Sequence, residues 1–173
     1  MFETGYDLWF NENNPFFGGH MKVSVISDTH GLLRPEVLDL IKDADMILHG
    51  GDINRLDIID TLKNIAPLIV VRGNNDKEWA ESVPMYASFS LGSVRVYMTH
   101  KKKDLPEDLT PYDLIITGHT HKYEHKTIGE QVFLNPGSCG PRKPTQPITM
   151  AVLYVQEDGF SVEKIDIPHP VTK

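Results

Sequence analysis

Seven side chains able to bind a divalent metal occur in five short segments of this chain, each just beyond a run of apolar residues. The segments are Asp28-Thr29-His30-Gly31, Gly51-Asp52, Gly73-Asn74-Asn75-Asp76, Thr99-His100 and Gly118-His119-Thr120-His121. Oxygen donors from Asp and Asn combined with neutral imidazoles suit Mn²⁺, Fe²⁺, Ni²⁺ or Zn²⁺, and the lack of thiolates argues against a structural zinc site. Taken singly, Asp28, His30 or Asp52 reads as a turn residue or helix cap. Their joint placement is what points to a metal site.

The apolar runs at 23–27, 46–48, 68–71, 94–98 and 114–117 read as short β-strands. In an open α/β sheet, ligands bind outside the carboxyl ends of the strands, so the five segments are expected to meet at one sheet edge. Gly-His-Thr-His reads as a local turn that brings both histidines to the metals, although alone the two could be surface histidines. Residues 35–42 read as a helix opening on Pro35, with Val37, Leu38 and Ile41 on one face. Residues 55–64 read as another, with Leu56, Ile59 and Leu62 at helical spacing. This front half predicts parallel βαβ packing. Beyond Pro84 the pattern changes to hairpins around Gly92-Ser93, Gly129-Glu130 and Asp158-Gly159. The fold class expected is α/β: a four-layer α-β-β-α sandwich of two mixed β-sheets with helices outside. The Pro/Gly-rich loop 136–147 is expected to lie over the site.

At 173 residues the chain reads as one domain over 21–173. Residues 1–20, with several aromatics, Gly18-Gly19 and no periodicity, read as a leader or tag-like extension ahead of Met21. A net charge of −7 disfavours an electrostatic grip on nucleic acid. Lys101-Lys102-Lys103 reads as a solvated loop. No apolar stretch approaches the roughly 20 residues that span a bilayer. The single Cys139 excludes an intrachain disulfide and fits a reducing, cytoplasmic setting.

The five blocks in this order resemble the calcineurin-like metallophosphoesterase family, from Met21 to about Ile167. They are most like its small prokaryotic phosphodiesterases, whose Gly-Asn-x-Asp block lacks the usual histidine. The resemblance implies one metal held by Asp28, His30 and His121, a second held by Asn74, His100 and His119, and Asp52 bridging them. It places Asp52 and Asn74 at the catalytic centre. The activity implied is hydrolysis of a small phosphodiester, by in-line attack of a metal-bridging hydroxide between ions roughly 3.5–4 Å apart. No covalent enzyme intermediate is expected.

Two departures refine that expectation. Asn75 stands where many relatives have a histidine that assists the leaving group, and general acid catalysis is typically worth about 10²–10⁴-fold. Its loss favours diesters with good leaving groups over alkyl monoesters, with Asn75 contacting substrate. Lys101 follows His100, where relatives often continue with glycine and a second histidine. Arg142 reads either as a substrate-phosphate contact or as a surface salt bridge. His49 is expected behind the ligands, Asp76 as a brace of the Gly73 loop, and His125 on the surface.

Two other functions compete with the diesterase. A phosphomonoesterase is one. The other is a protein-interaction scaffold of the same fold, because the retromer scaffold subunit shares Gly-His-Thr-His and the Asn135-Pro136-Gly137-Ser138 segment. Such scaffolds tend to lose ligands, notably in the Gly-Asn block, whereas all seven are present here.

Overall fold

Alternation along the first strand decides how the layers assemble. In β1 (Met21–Ile26), Val23 and Val25 face one way while Ser24 and Ile26 face the other, and all four are buried. A strand buried on both faces must lie inside a layered structure. The computed structural model describes residues 20–169 and shows those layers. The reading of residues 1–20 as a leader falls, His20 excepted, outside the described residues.

The first sheet adds β2 (Met46–His49), β3 (Leu68–Val70), β9 (Thr149–Gln156) and β10 (Gly159–Asp166), in the order β10-β9-β1-β2-β3. Strands β1, β2 and β3 are parallel, and the β9–β10 hairpin joins β1 antiparallel. The second sheet runs β4-β5-β6-β8-β7, from β4 (Tyr86–Leu91), β5 (Val94–Thr99), β6 (Leu114–Ile116), β7 (Tyr123–Ile128) and β8 (Gln131–Pro136). Here β5, β6 and β8 are parallel and the edges antiparallel, so both sheets are mixed.

Val23, Val25, Leu48, Leu153, Phe89, Val96, Met98, Leu114, Ile116 and Leu134 form the core between the sheets. A second core lies between the first sheet and two helices, α1 (Pro35–Ile41) and α2 (Leu56–Lys63). Val37 and Ile41 of α1 and Ile58, Ile59 and Leu62 of α2 are buried there. Leu56, expected on that buried face, is 54% exposed because it opens α2 at the rim, and Ile58 takes the inward place. On the far side of the second sheet the outer layer is thin. A 3₁₀ turn at Lys102–Asp104 and the loop that follows cover it, with Tyr112 against Tyr97 at 5.1 Å between ring centroids.

Two parallel triplets, β1-β2-β3 and β5-β6-β8, are thus brought together with the loops after their strands in mutual contact. Asp28 N–H donates to Gly51 O at 2.9 Å, Gly118 N–H to His100 O at 3.0 Å, and His119 N–H crosses between the sheets to Asp28 Oδ2 at 3.1 Å.

Candidate metal centre

Six non-glycine residues have positive φ among the described residues: Asp28, His30, Asp52, Asn54, His119 and His121. That conformation is uncommon for side-chain-bearing residues and costs free energy unless the surroundings enforce it. Five of the six are expected ligands. At His119 and His121 it is the local turn that Gly-His-Thr-His required: φ is 69° and 61°, and Thr120 N–H closes onto Gly118 O at 2.8 Å.

Two clusters result. Asp28, His30 and His121 form one and Asp52, His100 and His119 the other, with the ligand atoms of each within 4.8 Å of one another. Nε2 of His121 lies 3.2 Å from Asp28 Oδ1, and Nε2 of His30 lies 3.6 Å from the same oxygen. Asp52 Oδ2 faces both clusters, 3.7 Å from His30 Nε2 and 3.3 Å from His100 Nε2.

The surroundings leave the central atoms free. Asp28 Oδ2 accepts from Ser27 Oγ and His119 N–H, while Asp28 Oδ1 is buried without a partner. His100 Nδ1 lies 2.7 Å from Gly50 O, and its Nε2 is likewise buried and unpartnered. Buried polar atoms are normally satisfied, so orphans aimed at one point fit a cation that completes them. The residues present therefore fit a pair of divalent ions. Burial opposes ionisation of Asp28, yet the close imidazoles of His121 and His30 and the Ser27 hydroxyl hold its carboxyl well below the usual carboxylate range. Asp52 is likewise held at about 2 against desolvation, by His100 and Asn75. Burial would lower His100, but the adjacent carboxylates of Asp52 and Asp28 raise it.

The loops are braced from behind. Asp76 is buried and accepts from the N–H groups of Asp52, Ile53, Asn54 and Gly73 at 2.8–3.0 Å, tying the Gly73 loop to the Asp52 loop. This is the brace the sequence indicated, with a wider reach. Gly73 is required where it stands, since a Cβ would fall on Asp52 Oδ1 and its backbone nitrogen. Completely buried His49 accepts from Gly51 N–H at Nδ1 (3.1 Å), so its Nε2–H donates to Thr29 Oγ1 at 3.1 Å. Asn135 donates to Gly118 O and Thr120 Oγ1 and accepts from Gly137 N–H, fixing the His119–His121 turn. Ser138 Oγ donates to Asp28 O, and Arg34 Nε to Gly140 O, which holds loop 136–147 against the site.

The cleft has a volume of about 360 Å³ and is lined by His30, Asp52, Asn75, His119, His121, Pro141 and Lys143. Two expected site residues are not among those lining this cleft. Asn74 is exposed and off the cleft wall. Its neighbour Asn75 holds the wall, with its N–H 2.8 Å from Asp52 Oδ1 and its Nδ2 2.8 Å from Asp52 Oδ2. Both bonds tie residue 75 to Asp52, although residues 74 and 75 are alike exposed. Arg142 is also exposed and off the wall, where Pro141 and Lys143 on either side of it line the cleft. Lys102 pairs with Glu124, and His125 is exposed, as expected of surface residues. Sequence reasoning missed Asn54, Lys143 and the Thr29–His49 link. An asparagine two residues after a Gly-Asp turn was the available signal for the first, since Asn is enriched at positive φ.

A two-sheet sandwich carrying paired Asp/His clusters at its strand ends defines a metal-dependent phosphoesterase architecture. The chain belongs to the calcineurin-like phosphoesterase superfamily, whose domain model matches residues 21–158. A probable metallophosphoesterase of Methanothermobacter thermautotrophicus is 33% identical over 167 residues, spanning 88% of this chain and 96% of that protein. A phosphodiesterase of Methanocaldococcus jannaschii is 27% identical over 140 residues, spanning 69% of this chain and 84% of that one. The crystal structure of Vps29 from Chaetomium thermophilum superposes with a TM-score of 0.70 at 22% identity, covering 86% of this chain and all (100%) of that one, a likeness of fold.

Proposed function

We propose that this protein is a two-metal phosphodiesterase acting on a small phosphodiester. The observation that carries the reading is Asp52 Oδ2, placed within 3.7 Å of His30 Nε2 in one cluster and within 3.3 Å of His100 Nε2 in the other. Asp28, His30 and His121 would hold one ion, and His100 and His119 the other, with Asp52 shared. When bound, the pair of ions supplies Lewis acidity and an activated water for in-line displacement at phosphorus. The geometry favours Asn75 as the asparagine of the second set, with Asn74 the alternative from the same loop.

The chain's own residues do the rest. Asp28 and Asp52, ionised throughout the neutral range, supply two negative charges against four positive ones, so the occupied centre attracts an anionic ester despite the protein's net charge of −7. Lys143 adds a cation at the cleft wall. Neither asparagine of the Gly73 loop can protonate a leaving group as an imidazole does, which supports diesters with good leaving groups over monoesters. The family relationship to a protein called a phosphodiesterase supports the same substrate class.

The test is Asp52→Asn. Its turnover of bis-p-nitrophenyl phosphate should fall by more than about 100-fold, beyond the effect typical of residues behind the ligands, while its fold is retained. Near-normal turnover would remove the shared-carboxylate mechanism. Metal binding without turnover in the wild-type protein would favour a scaffold.

A further inference from the structure

Metal binding by a histidine requires one ring nitrogen to keep its lone pair and the other to carry the proton, and the partner of that second nitrogen selects the tautomer. In the second cluster this partner is plain. Gly50 O faces His100 Nδ1 at 2.7 Å, which keeps the proton there and leaves Nε2 free towards Asp52. The first cluster has a counterpart. His30 turns Nε2 to the centre, 3.0 Å from His121 Nε2 and 3.6 Å from Asp28 Oδ1, and turns Nδ1 to the carboxamide of Asn54 at 3.4 Å.

As oriented, the Asn54 carboxamide presents its nitrogen to His30 Nδ1, while its Oδ1 is buried with no partner. The two ends of a carboxamide have nearly the same shape, so a half-turn exchanges them without moving the residue. Turned, the oxygen leaves a position with no donor for one facing His30 Nδ1–H. Only that orientation is compatible with a lone pair on Nε2, since an amide nitrogen opposite an N–H sets two donors against each other. The backbone holds Asn54 in place for this purpose: φ is 69°, and its N–H donates to buried Asp76 Oδ1 at 2.8 Å.

We infer that Asn54 is a positioning residue that sets the His30 tautomer through its side-chain oxygen and so prepares the first metal site. This inference rests on the metal-centre reading above. Both orienting oxygens, Gly50 O and Asn54 Oδ1, then flank Asp52 in one loop, so a single segment aligns a histidine in each cluster.

The experiment uses metal-free protein with ¹⁵N-labelled histidine at about pH 8.5, where imidazoles are ordinarily neutral. Long-range ¹H–¹⁵N correlations report which nitrogen of His30 is protonated, and Zn²⁺ affinity is measured by competition with a chromophoric chelator. Asn54→Gly removes the carboxamide and tolerates the positive φ, whereas Asn54→Asp keeps an acceptor at the same place. The wild type should show Nδ1–H. Asn54→Gly should lose that preference and bind Zn²⁺ about 10–100-fold more weakly at one site, and Asn54→Asp should recover both. A wild-type proton on Nε2, or Asn54→Gly with unchanged tautomer and affinity, would overturn the inference. The tautomer is read without turnover, so absence of diester hydrolysis would contradict the proposed activity and leave this inference standing.

Discussion

The side chains that hold the centre are under opposing demands, and His49 shows this in a measurable way. It is completely buried between the Asp28 and Asp52 loops, and burial pushes its imidazole down to about 4 from the ordinary 6.5. A group whose folded value lies below its unfolded value favours the folded state when deprotonated. Its contribution is complete above about pH 6.5 and is lost as pH falls towards 4. The difference corresponds to on the order of 3 kcal/mol. Urea unfolding of metal-free protein should therefore show stability falling across that window, and His49→Gln should flatten the slope. His119 is also lowered by burial and His100 is raised, so the difference between wild type and variant isolates His49. Identical slopes would mean that His49 is not the group titrating. At the same scale, Asn75→Ala is expected to cost more activity than Asn74→Ala, because only residue 75 reaches Asp52. The reverse order in a diester assay would return the ligand role to Asn74.

Among the elements, the strand-end loops matter more than the strands, and they depend on one carboxylate. Asp76 collects four backbone N–H groups from two loops. Asp76→Ala leaves those donors without their acceptor, and each buried unsatisfied group costs about 1–3 kcal/mol. We expect a loss on the order of 3–5 kcal/mol in chemical unfolding, since local relaxation recovers part of the cost. A loss below 1 kcal/mol (about the worth of one ordinary hydrogen bond) would show that the brace is dispensable. The strands themselves were legible: alternating and continuous apolar runs placed β1, β2, β3, β5 and β6 within a residue or two of their observed ends. The hairpins were legible from their glycine turns. The helix α2 was found, but its buried face was misjudged at Leu56, because periodicity cannot show that a first turn projects past the core. Which asparagine of the Gly73 block turns towards Asp52 was not legible for a related reason. Spacing identifies the loop, but the direction of each side chain is set by hydrogen bonds to Asp52, which lies more than 20 positions away. Positive φ at five expected ligands was visible only where two histidines had to share one point.

At the scale of the whole molecule, the two sheets serve to bring loops from distant parts of the chain to one edge. The interior between them is continuous and apolar, with Leu114, Ile116, Met98 and Leu134 at most 1% exposed. No helix among the described residues is long and apolar enough to cross a membrane. A cleft of about 360 Å³ beside the paired clusters suits a small or terminal ester, and the acidic surface disfavours a nucleic-acid duplex. The most direct test of the central claim is hydrolysis by chelator-stripped protein refilled with Mn²⁺, Ni²⁺ or Zn²⁺, comparing bis-p-nitrophenyl phosphate with p-nitrophenyl phosphate. The account predicts no turnover after stripping, recovery on refilling, and a higher kcat/KM for the diester. Turnover that survives stripping, or a preference for the monoester, would contradict it.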